Sequence, residues 1–132
     1  MSKTYIAACR CGGISVRCEG EPVRVSVCHC HACQQRSGSP FGEQARWPTD
    51  KVTITGEDRE WVRISDEGNR VRYHFCPTCG TTVWYQGGPM PDAVAVPVGL
   101  FTDANFPAPR FSVWEARKHP WVTIPGEVEH YD

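Results

Sequence analysis

Residues 25–41 read VSVCHCHACQQRSGSPF. Within six positions this stretch places Cys28, Cys30 and Cys33, with His29 and His31 in the gaps. A tetrahedral zinc that only holds a fold takes four protein ligands, whereas one that does chemistry keeps three and leaves a corner for water or substrate. The stretch is therefore either part of a closed structural site or an open site in its own right. Its flanks set the local structure. Val23, Val25 and Val27 alternate along one face of a strand that runs into Cys28. After it, HACQQRS has no breaker before Gly38, so a short helical turn is predicted from His31 to about Arg36.

The same period of two recurs outward in both directions. Ile14, Val16 and Cys18 share a face in GGISVRC, and Val52 and Ile54 do so in KVTIT. Val71, Tyr73 and Phe75 follow, then Val83 and Tyr85, then Val94, Val96 and Val98. Eleven prolines and twelve glycines leave little room for long helices. The fold class expected is mostly β, a small antiparallel β-fold stapled by zinc, with residues 1–132 forming a single zinc-binding domain. The closing IPGEVEHYD reads as a tail on the surface.

Composition narrows the function classes. A net charge of −1 over 132 residues disfavours nucleic-acid binding, which shows a basic excess. No apolar run approaches the roughly 20 residues that span a bilayer, so no membrane partner is expected. MSKTYIAACRCGG lacks a secretory layout, and the chain is read as cytoplasmic. There cytosolic reductants keep thiols free, so the eight cysteines point away from a disulfide framework. Seven of them cluster as Cys9-x-Cys11, Cys28-x-Cys30-x-x-Cys33 and Cys76-x-x-Cys79, a spacing that converges thiolates on a metal ion. The eighth, Cys18, reads as a small buried hydrophobe.

Seven thiolates cannot fill two four-ligand sites. Cys9, Cys11, Cys76 and Cys79 look like two half-sites of one closed structural zinc centre. Gly12 and Gly80 after each half allow a left-handed turn that aims backbone N–H groups at sulfur. Cys28, Cys30 and Cys33 are then the catalytic candidates, with an open position. Zinc held by three thiolates carries a net charge of about −1, a weak generator of hydroxide that suits capture of a substrate thiol. Two alternatives stand beside this. His31, or less readily His29, closes the site, or the clusters pair differently.

The ordered set Cys9-Arg10-Cys11-Gly12, Cys28-His29-Cys30-His31-Ala32-Cys33, Ser37-Gly38-Ser39-Pro40-Phe41 and Cys76-Pro77-Thr78-Cys79-Gly80 resembles the glutathione-dependent formaldehyde-activating enzyme family, which includes centromere protein V. The resemblance runs over about residues 5–124 and implies a fold of the Mss4-like type with two zinc ions. It implies a structural ion at Cys9, Cys11, Cys76 and Cys79 and a catalytic ion at Cys28, Cys30 and Cys33. The activity implied is that of a carbon–sulfur lyase joining glutathione and formaldehyde into S-hydroxymethylglutathione, or the reverse. Many members carry a basic pair after the third cysteine of the knuckle; here Gln34 and Gln35 stand there, with the charge at Arg36.

Around the knuckle, Arg36, Ser37 and Arg46 are candidate substrate-binding residues, the arginines as clamps for an anionic substrate. His74 alternates with Tyr73 and Phe75 and reads as a surface histidine beside Arg70 and Arg72. The five tryptophans read as core or rim, with one a candidate pocket wall. The leading expectation is an enzyme taking a small-molecule thiol such as glutathione and a small aldehyde. The alternatives are a non-catalytic, zinc-stabilised binding module for a protein partner, and an exchangeable zinc store.

Overall fold

The computed structural model describes residues 3–132, and their chain order is set by strands. The first half carries β1 (Thr4–Ala8), β2 (Ser15–Glu19), β3 (Arg24–Cys28), the short helix α1 (His31–Ser37), β4 (Gly42–Pro48) and β5 (Val52–Thr55). The second half carries β6 (Arg59–Ile64), β7 (Arg70–Phe75), β8 (Thr82–Gly87), β9 (Met90–Pro97), β10 (Phe111–Val113) and β11 (Glu129–His130). They make a three-stranded sheet, β1-β2-β5, and an eight-stranded one, β11-β10-β3-β4-β9-β8-β7-β6. Pairing is antiparallel except at one end, where β10 runs parallel to both β3 and β11. The mostly β, antiparallel character expected from the alternation is what the chain adopts.

The small sheet covers one face of the large one. Tyr5, Ala7, Val16 and Cys18 from the former meet Val25, Ala45, Trp47, Val94 and Val96 from the latter in one buried cluster. Cys18 is fully buried, and the thiol is pushed up to about 12 by that burial, as suits a packing residue. Trp47 is also fully buried, and its indole N–H donates to the Gly20 carbonyl at 2.9 Å, so its one polar atom is satisfied. Helix α1 spans the predicted turn. Its N-cap is Cys30, whose sulfur accepts the Cys33 amide, and it stops at Gly38, whose φ of 66° few other residues adopt.

Several elements depart from the alternation. Val23 lies ahead of β3 and is exposed, because the strand begins only at Arg24. Val98 leaves β9 for a 3-10 turn over Val98–Phe101. β4, in GEQARWP, and β6, in REWVRI, show no clear alternation because charged residues stand among the apolar ones; β4 nonetheless buries Ala45 and Trp47, and β6 is held by pairing along one edge. The C-terminal segment lies at the surface but is pinned there. Glu129–His130 form β11, and the Tyr131 amide donates to the Ser112 carbonyl at 2.9 Å.

The other face of the large sheet positions the chemistry. Residues directly opposed in a ladder share a face. Arg46 is opposite Arg24 and Ala95, Ala95 opposite Tyr85, Tyr85 opposite Tyr73, and Tyr73 opposite Trp61. Ser26 and Cys28 stand on this same face, two and four residues along β3 from Arg24. One row thus runs across six strands, from a pair of arginines to a stack of aromatic rings, on the face that carries Cys28.

Candidate metal centres and the cavity beside them

The first cluster joins two distant turns. The Cys9, Cys11, Cys76 and Cys79 sulfurs all lie within 4.8 Å of one another. Cys11 stands 3.6 Å from both Cys9 and Cys76. Zinc–sulfur bonds of about 2.3 Å in a tetrahedron set sulfurs about 3.8 Å apart, so this donor set fits zinc. Gly12 and Gly80 have φ of 79° and 78°, the left-handed turns expected of them. Sulfur is also served by donors: the Ile14 amide reaches Cys9 Sγ at 3.3 Å, and the Thr81 hydroxyl lies 3.3 Å from Cys79 Sγ. Hydrogen bonds from the Thr81 side chain and backbone pull the Cys79 thiol down to about 5.

The second cluster comes from one contiguous stretch. β3 ends at Cys28, Cys30 caps α1 and Cys33 lies in its first turn, which brings the three sulfurs within 4.8 Å of one another. No histidine, aspartate or glutamate joins the trio among the described residues. Each knuckle histidine stands outside the trio and has one ring nitrogen engaged elsewhere. His29 turns away from its cysteine neighbours, fully buried, with Nε2 2.9 Å from the Ser112 hydroxyl. Burial holds its imidazole below the ordinary value, so the neutral ring is favoured. His31 is exposed, and its Nδ1 lies 3.2 Å from Arg117 Nη1, where it accepts. Hydrogen bonds from Cys28 and Cys33 draw the Cys30 thiol far down, while sharing with them and burial push Cys28 far up.

The structure places the remaining candidates at different depths. Arg36 lies beside the trio, its guanidinium 5.1 Å above the Tyr85 ring. Its Nε and Nη2 are buried with no hydrogen-bond partner, as are Tyr85 Oη and Gln44 Oε1. Gly42 makes room for it: a Cβ there would come 2.7 Å from Arg36 Nη2 and 3.2 Å from Cys33 Cβ. The Ser37 hydroxyl donates to the Cys33 carbonyl at 2.8 Å and accepts the Ser39 amide at 3.2 Å, closing the helix. Arg46 faces Arg24, four residues along the strand from Cys28 and so about 13 Å away; its Nη1 reaches the Ser26 hydroxyl at 3.4 Å. Gln34, at a position often basic in the family it resembles, is a brace. Its amide donates to the His29 and Arg117 carbonyls at 2.7 and 3.2 Å, and its oxygen lies 3.1 Å from His119 Nε2.

A cavity of about 430 Å³ opens on the far side of Ala32 and Arg36, walled by Trp61, Arg63, Tyr73 and Phe75. A smaller one of about 190 Å³ shares Ala32 and Arg63 with it and reaches Cys30 and His31. Of the five tryptophans, Trp61 is the one in the wall of the larger cavity. Arg63 and Gln44 carry no signal in the sequence and Tyr85 reads there only as a strand residue; their placement depends on strand order. His74 is more shielded than a surface histidine. Its ring stacks on Trp84 at 3.7 Å, with Asp58 and Glu60 at 2.9 and 3.1 Å from its two nitrogens.

Fold and clusters together define a β-sheet protein with two cysteine sites able to hold metal ions, one of four sulfurs and one of three. The family model described as glutathione-dependent formaldehyde-activating enzyme matches residues 4–117, and the chain belongs to that family, with its Mss4-like β-fold. The crystal structure of a Rhodobacter sphaeroides protein is similar in fold. Its TM-score is 0.59 at 19% identity, over 76% of this chain and 90% of that one. Among the described residues no helix is long and apolar enough to cross a membrane.

Proposed function

We propose that this protein is a zinc-dependent carbon–sulfur bond enzyme that joins a small-molecule thiol to a small aldehyde, or reverses that addition, at Cys28, Cys30 and Cys33. The observation that carries the reading is the trio itself: three converging sulfurs whose two neighbouring histidines are occupied by Ser112 and Arg117. Zinc held there would lower the pKa of an incoming thiol and hold it as its fourth ligand. A second zinc at Cys9, Cys11, Cys76 and Cys79 would be structural, making its binding free energy part of the folding free energy.

The reaction needs little beyond positioning. The sulfur lone pair forms a bond to the carbonyl carbon, the C=O π pair moves to oxygen, and that oxygen takes a proton equivalent to the one the thiol lost. No group leaves. Holding thiolate and carbonyl at near-contact distance is the main source of acceleration. Arg36 is the candidate substrate clamp nearest the trio, since its guanidinium has buried donors without acceptors. Ser37 would act through the end of α1, and Arg46 through the polar face it shares with Ser26. Glutathione and formaldehyde are the pair that the family's description names. Cobalt-substituted protein tests the reading. Added glutathione is expected to perturb the cobalt–thiolate bands of the trio and not those of the four-cysteine site; indifference to every thiol tried would favour a non-catalytic binding module.

A further inference from the structure

We infer that the cavity walled by Trp61, Arg63 and Tyr73 is a subsite for a carboxylate carried on a flat apolar body, and that one partner of the thiol–aldehyde reaction is such an aromatic acid. The inference rests on the proposed function for the word partner, but the binding claim stands on the cavity alone. Its volume, about 430 Å³, falls in the range of small-molecule sites. Trp61, Tyr73 and Phe75 line it with aromatic rings. Trp61 is 58% exposed yet ordered against Tyr73, with centroids 6.0 Å apart and planes 27° from parallel, and Tyr73 in turn lies 5.3 Å from Tyr85. An indole left open on a sheet face, backed by two further rings, offers a planar stacking surface.

The charges around it have one sign. Arg36 and Arg63 both line the cavity, and no acidic side chain does. Arg36 has no carboxylate partner among the described residues, and its buried Nε and Nη2 lack any acceptor. Arg63 has only the exposed Asp66, at 3.9 Å. Two arginines on a cavity wall with no acidic side chain beside them leave it positively charged, which suits a ligand that brings its own carboxylate. The subsite also borders the trio. Ala32 and Arg36, which line it, flank Cys33 on either side along α1, and the smaller cavity that shares Ala32 and Arg63 reaches Cys30. A ligand body in the cavity would therefore lie beside α1, the helix that carries Cys33.

Trp fluorescence of the zinc-loaded protein, titrated with benzoate and with its neutral isostere benzamide, tests the binding. Benzoate is expected to quench and to bind about tenfold more tightly than benzamide, the discrimination one charge-assisted hydrogen bond supplies. Arg63→Gln is expected to remove most of that preference, and Trp61→Ala to weaken both ligands. Both residues lie on the edge strand β6, so unchanged melting temperatures separate lost binding from lost folding. Equal affinity for benzoate and benzamide, or none for either, overturns the subsite. Two turnover comparisons then assign the acid: 4-formylbenzoate against benzaldehyde with a fixed small thiol, and 4-mercaptobenzoate against thiophenol with formaldehyde. Preference for the carboxylate in one arm makes that reactant the subsite's ligand; preference in neither overturns the substrate claim. Should glutathione leave the cobalt bands untouched while benzoate still binds, the proposed reaction fails and the subsite stands.

Discussion

The two cysteine clusters use the same donor atom in opposite ways. The four-sulfur cluster draws Cys9 and Cys11 together with Cys76 and Cys79 across more than sixty residues of chain, about 65 between Cys11 and Cys76. The three-sulfur cluster needs one strand end and one helical turn and closes no long loop. Surroundings differ as well. Around the first, backbone amides and the Thr81 hydroxyl serve the sulfurs, and the buried core packs directly against Cys9 and Cys76. Around the second lie a half-buried arginine, unpartnered polar atoms and the smaller cavity, which reaches Cys30. Under the proposed function the cluster that joins distant segments would contribute to folding, and the one confined to a local stretch would do the chemistry.

Removing ligands should separate the two most sharply. Cys76→Ser is expected to abolish cooperative thermal unfolding, because structural zinc sites carry apparent binding free energies of about 10–16 kcal/mol. Circular dichroism melting would check it, and a melting temperature within a few degrees of wild type would contradict the structural assignment. Cys30→Ser is the counterpart. It is expected to lose one metal equivalent of two, keep its melting transition, and lose about 100-fold or more in thiol–aldehyde turnover, since positioning supplies most of the rate.

Gly42→Ala probes the packing under the trio alone. The new Cβ would crowd Arg36 Nη2 at 2.7 Å and Cys33 Cβ at 3.2 Å, an overpacking that costs about 1–3 kcal/mol. Metal occupancy at the trio is expected to fall while the four-cysteine site stays full, which elemental analysis against thiol titration would show.

The effect confined to the narrowest conditions, high pH, concerns the thiol that belongs to neither cluster. Cys18 has its folded-state pKa raised from 9.0 to about 12 by burial. A group with a raised folded pKa favours the native state below its unfolded value and loses that contribution as pH rises through the folded one. Native Cys18 should therefore resist iodoacetamide at pH 8, and stability to urea should decline between about pH 9 and 12, less so in Cys18→Ala.

Much of this was legible in one dimension. Alternation at Val25, Val27, Val83 and Tyr85 marks strands because side chains in extended backbone point to opposite faces by turns. Close cysteine spacing marks ion sites because short turns converge sulfurs, and Gly12 and Gly80 mark the turns that only they adopt cheaply. Strands such as β4 and β6 were not legible. Their mixed sequences are held by neighbours on both sides, or on one side at the edge, and pairing partners leave no local signature.

Local spacing determined the cysteine clusters, the short helix and the strand-rich architecture, since each depends on residues a few positions apart. Strand order decided the rest. It brought Trp61, Tyr73 and Tyr85 into one row with Arg46, set Arg36 over that row, and turned His29 toward Ser112 and His31 toward Arg117. These contacts join residues as much as 86 positions apart, and only the folded register brings them within reach.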